Sequence, residues 1–261
     1  MRVALILEYK GTNYYGWQKQ KVNEKKTIQD HVDNAISKIA NHKIVTHCGG
    51  RTDTGVHAYM QVIHFDTNTK RDIHNWTRGI NSFLPNDISV KNVYLVDESF
   101  HARFSVVDRT YRYIILNRKI PITSFNDNFL HITDDIDIEK ISKSFPYIIG
   151  KRDMSSFRGA GCVSPSPIKH IKTISIKRKS DFIIIDIKAN SFLYHMVRNL
   201  VGFFLDVGKG KVNLQHIKKL IDDGDRRKLG ISVDARGLYL LKINYPSKYK
   251  IKLDESFKIS I

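Results

Sequence analysis

Hydrophobic periodicity changes along this chain in an order that nearly repeats, and that order constrains the fold more than any other feature. Arg2 to Tyr9 carries the short apolar run Val3-Ala4-Leu5-Ile6-Leu7, the pattern of a buried strand. From Thr27 the apolar positions Ile28, Val32, Ala35, Ile36 and Ile39 recur at helical spacing, with Thr27 placed to cap and Asp30 in the first turn. Strands are expected at Lys43 to His47 and Tyr59 to Phe65, a second helix at Ile73 to Leu84 stopped by Pro85, and a strand at Ile88 to Val96.

The second half runs through similar elements. Arg109 to Leu116 alternates as a strand does, with Tyr111 and Tyr113 on one face. Arg118 to Asp137 is polar and irregular, the composition of a surface insertion. A helix is expected from Ile138 to about Ile149, then a loop rich in Ser, Gly and Pro from Ser155 to Pro167. Strands follow at Ile168 to Lys177 and Phe182 to Ala189, a long apolar helix at Ser191 to about Val207, a short capped helix from Asn213, and a last strand at Leu238 to Ile243. The expected fold class is α/β (α+β), in two similar halves, residues 1–105 and 106–261, with no low-complexity linker between them. A chain of 261 residues, 41% of them hydrophobic, is long enough to bury such a core.

Between the expected strands at Lys43 and Tyr59 lies Gly49-Gly50-Arg51-Thr52-Asp53-Thr54-Gly55-Val56-His57-Ala58. Glycines on both sides of a short polar run let the backbone take positive φ and approach a ligand closely, so this segment reads as a loop presenting Asp53. Two roles fit that aspartate from the residues alone: a turn residue capping its own backbone, or a reactive carboxylate kept ionised by Arg51. The spacing of Gly50 and Gly55 imitates a P-loop, but Val56-His57 stand where a Lys-Ser/Thr pair would have to hold phosphate and metal.

Lys and Arg number 43 against 26 Asp and Glu, a net +17, which points to a polyanionic partner because neutralised phosphates release counterions. A lysine-rich compositional bias is the competing explanation. No run of 18 apolar residues exists, and the short N-terminal run, interrupted by Glu8, suits a strand better than a signal peptide. Cys48 and Cys162 have no C-x-x-C spacing, which suits a reducing cytoplasm and offers no zinc site.

The loop keeps company with Tyr14-Tyr15-Gly16-Trp17-Gln18, Phe100-His101-Ala102-Arg103-Phe104, Arg109-Thr110-Tyr111-Arg112-Tyr113, the run Ala189 to Asn199, and Gly237-Leu238-Tyr239-Leu240. With these segments in this order, the chain from about Arg2 to Pro246 closely resembles the TruA family of tRNA pseudouridine synthases. The resemblance implies two α/β halves whose antiparallel or mixed sheets join around a central catalytic cleft. It implies isomerisation of uridine to pseudouridine at positions 38, 39 and 40 of the tRNA anticodon stem-loop, without metal or cofactor. It also implies a cytoplasmic homodimer in which one tRNA spans both subunits, and no membrane.

By the same resemblance Asp53 is the nucleophile, although which carbon or proton it attacks stays open. Tyr111 is matched to the family's active-site tyrosine; the strand pattern alone fits a core tyrosine as well. Arg51 and Arg103 are expected to hold phosphates or the space left by a flipped base, or else to stabilise the loop. Arg198 matches the arginine that pairs with the catalytic aspartate; from spacing alone Asp186, Asp206 or solvent would serve. His57 and His101, each beside an alanine, are expected to satisfy backbone groups. Two departures stand out: Asp234-Ala235-Arg236 where relatives usually carry a proline-containing run, and Thr54 where Ala is frequent. A catalytically silent RNA-binding chaperone and an Asp-nucleophile hydrolase are the alternatives; intact Asp53, Tyr111 and Arg198 argue against the first, and the lack of a second carboxylate or Ser/His partner against the second.

Overall fold

The computed structural model describes residues 1–20 and 27–251. In chain order the elements are β1 (Arg2–Tyr9), α1 (Ile28–Ala40), β2 (His47–Cys48), β3 (His57–Asp66), α2 (Ile73–Asn81) and β4 (Ile88–Val96). They continue with β5 (Asp108–Asn117), β6 (Leu130–Ile132), α3 (Ile138–Ser144), β7 (Gly150–Asp153), β8 (Ile168–Lys179) and β9 (Phe182–Ala189). The last are α4 (Met196–Gly208), α5 (Ile217–Asp222) and β10 (Leu238–Asn244). The architecture is α+β, and it forms two compact units, one of Met1–Arg109 with Tyr239 onward, the other of Thr110–Leu238.

In the first unit the strands run β4-β1-β3-β10, with β2 added to β3. The apolar run of β1, Val3 to Leu7, is buried on both faces at 0–1% exposure, and the strand is central in the sheet: Leu5 lies opposite Ile63 of β3 and Val93 of β4. β10 returns from far along the chain to pair parallel with β3, Tyr239 opposite His57. Thr27 caps α1 as its sequence demands: its Oγ1 accepts from the Asp30 amide while its own amide donates to the Asp30 carboxylate, closing a capping box.

The stretch from Lys43 pairs as a strand only at His47–Cys48. Its backbone is claimed by α1 instead. The Ile44 amide donates to Ser37 Oγ, the Thr46 amide to Asp33, and Gln29 Nε2 to the Thr46 carbonyl. Every buried backbone group needs a partner, and here side chains supply it where a neighbouring strand would. α2 stops at Asn81, short of Leu84, because the Asn81 amide group bonds both the N–H and the carbonyl of Val90.

The second unit carries β5-β9-β8-β7 in that order, with β6 parallel to β5. β6 and β7 lie where the sequence showed only irregular chain, since three or four residues are too few to display a period. α3 ends at Ser144 and passes into a 3₁₀ turn at Phe145–Tyr147, Pro146 having no N–H for a helical bond. α4 begins at Met196, five residues later than the apolar pattern from Ser191 suggests. Residues 190–195 have other commitments: Asn190 Oδ1 accepts from Ser191 and His170, the Tyr194 carbonyl accepts from Gly159, and His195 enters α4 with φ +58. None of the helices among the described residues is long and apolar enough to cross a membrane.

Candidate active site

The loop around Asp53 is held at both ends by the sheet and from below by the segment after β1. β2 and β3 clamp its base, Cys48 opposite Ile63, and the Gly49 amide donates to the Val62 carbonyl at 2.7 Å. Gln61, a polar residue inside the apolar run of β3, is fully buried and brackets Gly50: its Oε1 accepts from the Gly50 amide and its Nε2 donates to the Gly50 carbonyl. At the tip, Val56 N–H bonds the Asp53 carbonyl at 3.1 Å, a tight turn whose third position, Gly55, sits at φ +78.

The underside is formed by residues 9–17. Tyr9 Oη and Thr52 Oγ1 are 2.7 Å apart and buried, and the Trp17 amide donates to the Thr52 carbonyl at 3.0 Å. Gly11 passes so close that a Cβ there would sit 2.0 Å from the Val56 carbonyl oxygen. What results is a carboxylate on a loop with little freedom: Thr52 and Val56 are buried, Asp53 half-buried, and Arg51 and Thr54 exposed.

Arginines gather around the loop's base. Arg109 Nε donates to the Gly49 carbonyl at 2.8 Å, and its Nη2 reaches the same oxygen. Burial pushes the Cys48 thiol up to about 12, against the opposing pull of Arg51, Arg109 and Arg103, so these guanidinium charges all bear on one spot and the thiol stays protonated. Sequence reasoning overlooked Tyr9, Gln61 and Arg109; a buried glutamine in a hydrophobic strand was the signal available for one of them.

His57 and His101 do what was expected of them. His57 is 1% exposed, its Nδ1 accepts from the Gly11 amide at 3.2 Å, and its ring stacks on Tyr239 at 4.7 Å. His101 Nδ1 accepts from the Arg103 amide at 3.1 Å. The rings of His47, His64 and His101 lie within 4.5–5.2 Å of one another, yet no group of three or more His, Cys, Asp or Glu among the described residues is placed to hold a metal ion.

Arg51, Asp53 and Arg103 belong to the first unit, Tyr111 and Arg198 to the second. Tyr111 on β5 is 8% exposed and meets the edge of Phe192, ring centroids 5.1 Å apart and planes at 86°. Tyr113, two residues on, is fully buried and spends its hydroxyl on the Asp234 carbonyl at 2.6 Å; burial raises its pKa, so it is a neutral structural donor. The Asp234-Ala235-Arg236 run therefore forms a capped 3₁₀ turn that receives Tyr113.

Arg198 is on α4, but Ser191 and His195, which a helix starting at Ser191 would put on one strip with it, precede the helix. The face it shares is Arg198, Gly202 and Asp206, spaced four apart, and the chain from Gly230 to Val233 covers it. Arg198 Nε donates to the Val233 carbonyl at 2.6 Å, a Cβ on Gly202 would lie 2.0 Å from the Ile231 oxygen, and one on Gly230 would lie 1.9 Å from Asp206 Oδ2. Arg198 Nη1 also faces His195 Nε2 at 3.4 Å; burial and then the Arg198 charge lower the His195 pKa, so that ring is a neutral acceptor. Asp186, one alternative partner for Arg198, is taken by Arg112 in a two-point contact at 2.8 Å.

A profile described as tRNA pseudouridine synthase matches residues 5–105 and again 146–246. A protein of Vibrio campbellii named tRNA pseudouridine synthase A is 43% identical over 249 residues, covering 95% of this chain and 94% of the relative. Its namesake in Psychromonas ingrahamii is 45% identical over 251 residues, covering 96% and 95%, and that of Shewanella pealeana is 42% identical over the same span and shares.

Proposed function

The chain belongs to the tRNA pseudouridine synthase family, and on that footing we propose that it isomerises uridine to pseudouridine in tRNA with Asp53 as the nucleophile. The reaction breaks the bond from ribose C1′ to uracil N1, turns the uracil, and joins C5 to C1′; a proton leaves C5 and one is gained at N1. Product and substrate are isomers, so no redox partner or group donor is consumed. What the reaction asks of the protein is one carboxylate held still, a flat surface for the extruded base, and exclusion of water.

The observation that carries this reading is the immobilised loop: Thr52 is pinned from below by Tyr9 and Trp17, and Gly50 is bracketed by Gln61. Asp53 is left half-buried beside the exposed Arg51. Tyr111 stacks on the base, and its hydroxyl reaches the C5 proton. Arg51 and Arg103 take phosphates, and Arg198 compensates the Asp53 carboxylate. The targets are positions 38, 39 and 40 of the anticodon stem-loop, and the working form is a cytoplasmic homodimer, whose doubled basic surface suits a net charge of +17 per chain.

Pseudouridine mapping of total tRNA from a strain lacking this protein tests the proposal. Loss of pseudouridine at those positions, restored by the wild-type gene and not by Asp53→Ala, is the expected result. An unchanged map would overturn it.

A further inference from the structure

Phe104 is 74% exposed, although the turn that carries it is tied down by four hydrogen bonds. The Ser105 amide donates to the His101 carbonyl at 2.8 Å and the His101 amide to Ser105 Oγ at 3.0 Å. Between them, the fully buried Ala102 donates to His64 Nδ1 at 3.1 Å, and its carbonyl accepts from Tyr245 Oη at 2.7 Å. Isolated exposed apolar side chains are ordinary. Here, however, the backbone offers the ring no route inward, so its exposure is built in.

The ring is also not bare on its inner side. It lies 4.4 Å from the His101 ring at 37°, and His101 rests in turn on His64 at 4.5 Å. The Arg103 guanidinium sits 5.4 Å from the Phe104 centroid. The turn abuts the Asp53 loop: a Cβ on Gly49 would lie 3.1 Å from the Ala102 oxygen. An aromatic cluster thus ends in a largely exposed ring with a guanidinium over it, next to the loop expected to carry the chemistry.

We propose that Phe104 is a base-stacking residue, its exposed ring, with Arg103, receiving a nucleobase next to the target uridine in the tRNA strand. A nucleobase fits this setting better than an apolar protein surface does. Stacking on an aromatic ring with an arginine alongside accommodates any base, and the phosphates on either side of that base meet Arg103 and Arg51. An apolar protein partner would instead have to desolvate those guanidinium groups without supplying anions. Extruding a uridine unstacks its neighbour, and a ring fixed in advance recovers that lost stacking with little ordering cost. The inference rests on the proposed action on tRNA.

The test uses Phe104→Ala, Phe104→Leu and Phe104→Tyr with a synthetic anticodon stem-loop, intact or with an abasic site at a nucleotide flanking the target. Turnover and binding by fluorescence anisotropy are both measured. Phe104→Ala lowers kcat/KM on the intact RNA by about tenfold or more, Phe104→Tyr stays within about twofold of wild type, and Phe104→Leu behaves like Ala. With one of the abasic RNAs the wild type loses a similar factor and Phe104→Ala loses nothing further. Equal losses by Phe104→Ala on the intact RNA and on every abasic RNA would overturn the assignment, as would full activity of Phe104→Leu. So would a shift of Phe104→Ala to a smaller species in sedimentation, which would place the ring between two copies of the chain. If wild type binds the stem-loop and discriminates against the abasic RNA yet never forms pseudouridine, the functional reading fails while the stacking assignment stands.

Discussion

The amide of Trp17 donates to the carbonyl oxygen of Thr52 at 3.0 Å, tying the Tyr14-Tyr15-Gly16-Trp17 segment to the peptide immediately before Asp53. Gly16 makes that approach possible: its φ is +71, and a Cβ there would stand 2.6 Å from the same Thr52 oxygen and 3.0 Å from the Asp53 carbonyl carbon. A motif more than thirty residues upstream is thereby the floor of the Asp53 loop.

Gly16→Ala should consequently harm the loop more than the fold. Left-handed backbone in a non-glycine residue costs about 1–2 kcal/mol, which lowers the melting temperature modestly. Displacement of Thr52 and Asp53 is expected to reduce kcat by about tenfold or more, since small misplacements near reacting groups are expensive. A variant with full kcat and only a lower melting temperature would show that the floor does not position Asp53.

For Asp53 the expected outcome separates binding from chemistry. Asp53→Asn and Asp53→Ala should bind tRNA nearly as wild type does, because affinity is spread over many phosphate contacts, and should show no measurable turnover. Turnover by the Asn variant within about tenfold of wild type would remove the carboxylate from its nucleophilic role.

Arg198 has a visible structural duty as well as a proposed chemical one, and the two give different signatures. Arg198→Lys keeps a charge but loses the planar fork that donates to Val233; Arg198→Met loses both. If Arg198 serves the Asp53 carboxylate, Lys loses much of the turnover and Met nearly all of it, with the fold retained and tRNA affinity changed little. If its work is only to hold the covering chain at Val233, both variants lose stability in proportion to activity. Thermal melts alongside single-turnover rates decide between them.

Burial, the charges of His101, Arg2 and His47 lower the His64 pKa to about 3, against a small opposing pull from Asp66. The unfolded chain takes up that proton near pH 6.5, so stability is fully present above this value and falls as pH drops toward 3. His101 and His195 are shifted in the same direction. Between pH 6.5 and 5, above the range where carboxylates titrate, unfolding free energy should drop for His64 alone with a slope that rises from about 0.7 to about 1.4 kcal/mol per pH unit. Urea denaturation across that window checks this; a flat profile would mean that His64 accepts a proton inside the fold.

Much of this molecule can be read from local pattern. The bounds of β1, β4 and β9 follow from apolar runs, and Thr27 announces the start of α1 by a capping box that needs only its own helix. The Gly-rich stretch around Asp53 is recognisable as a loop between strands, and the ordered motifs identify the family. These features depend on residues a few positions apart, whose spacing is written directly in the chain. Tertiary structure decided the rest, because the deciding partners lie far away in sequence. The chain at Ile44 and Thr46 gives its hydrogen bonds to Ser37 and Asp33 of a helix, so no full strand forms there. Residues 190–195 bond to His170 and Gly159, which delays α4 and leaves His195 ahead of the helix in left-handed backbone. β10 settles parallel to β3 with Tyr239 stacked on His57, a pairing that joins residues some 180 positions apart and that no periodicity can encode.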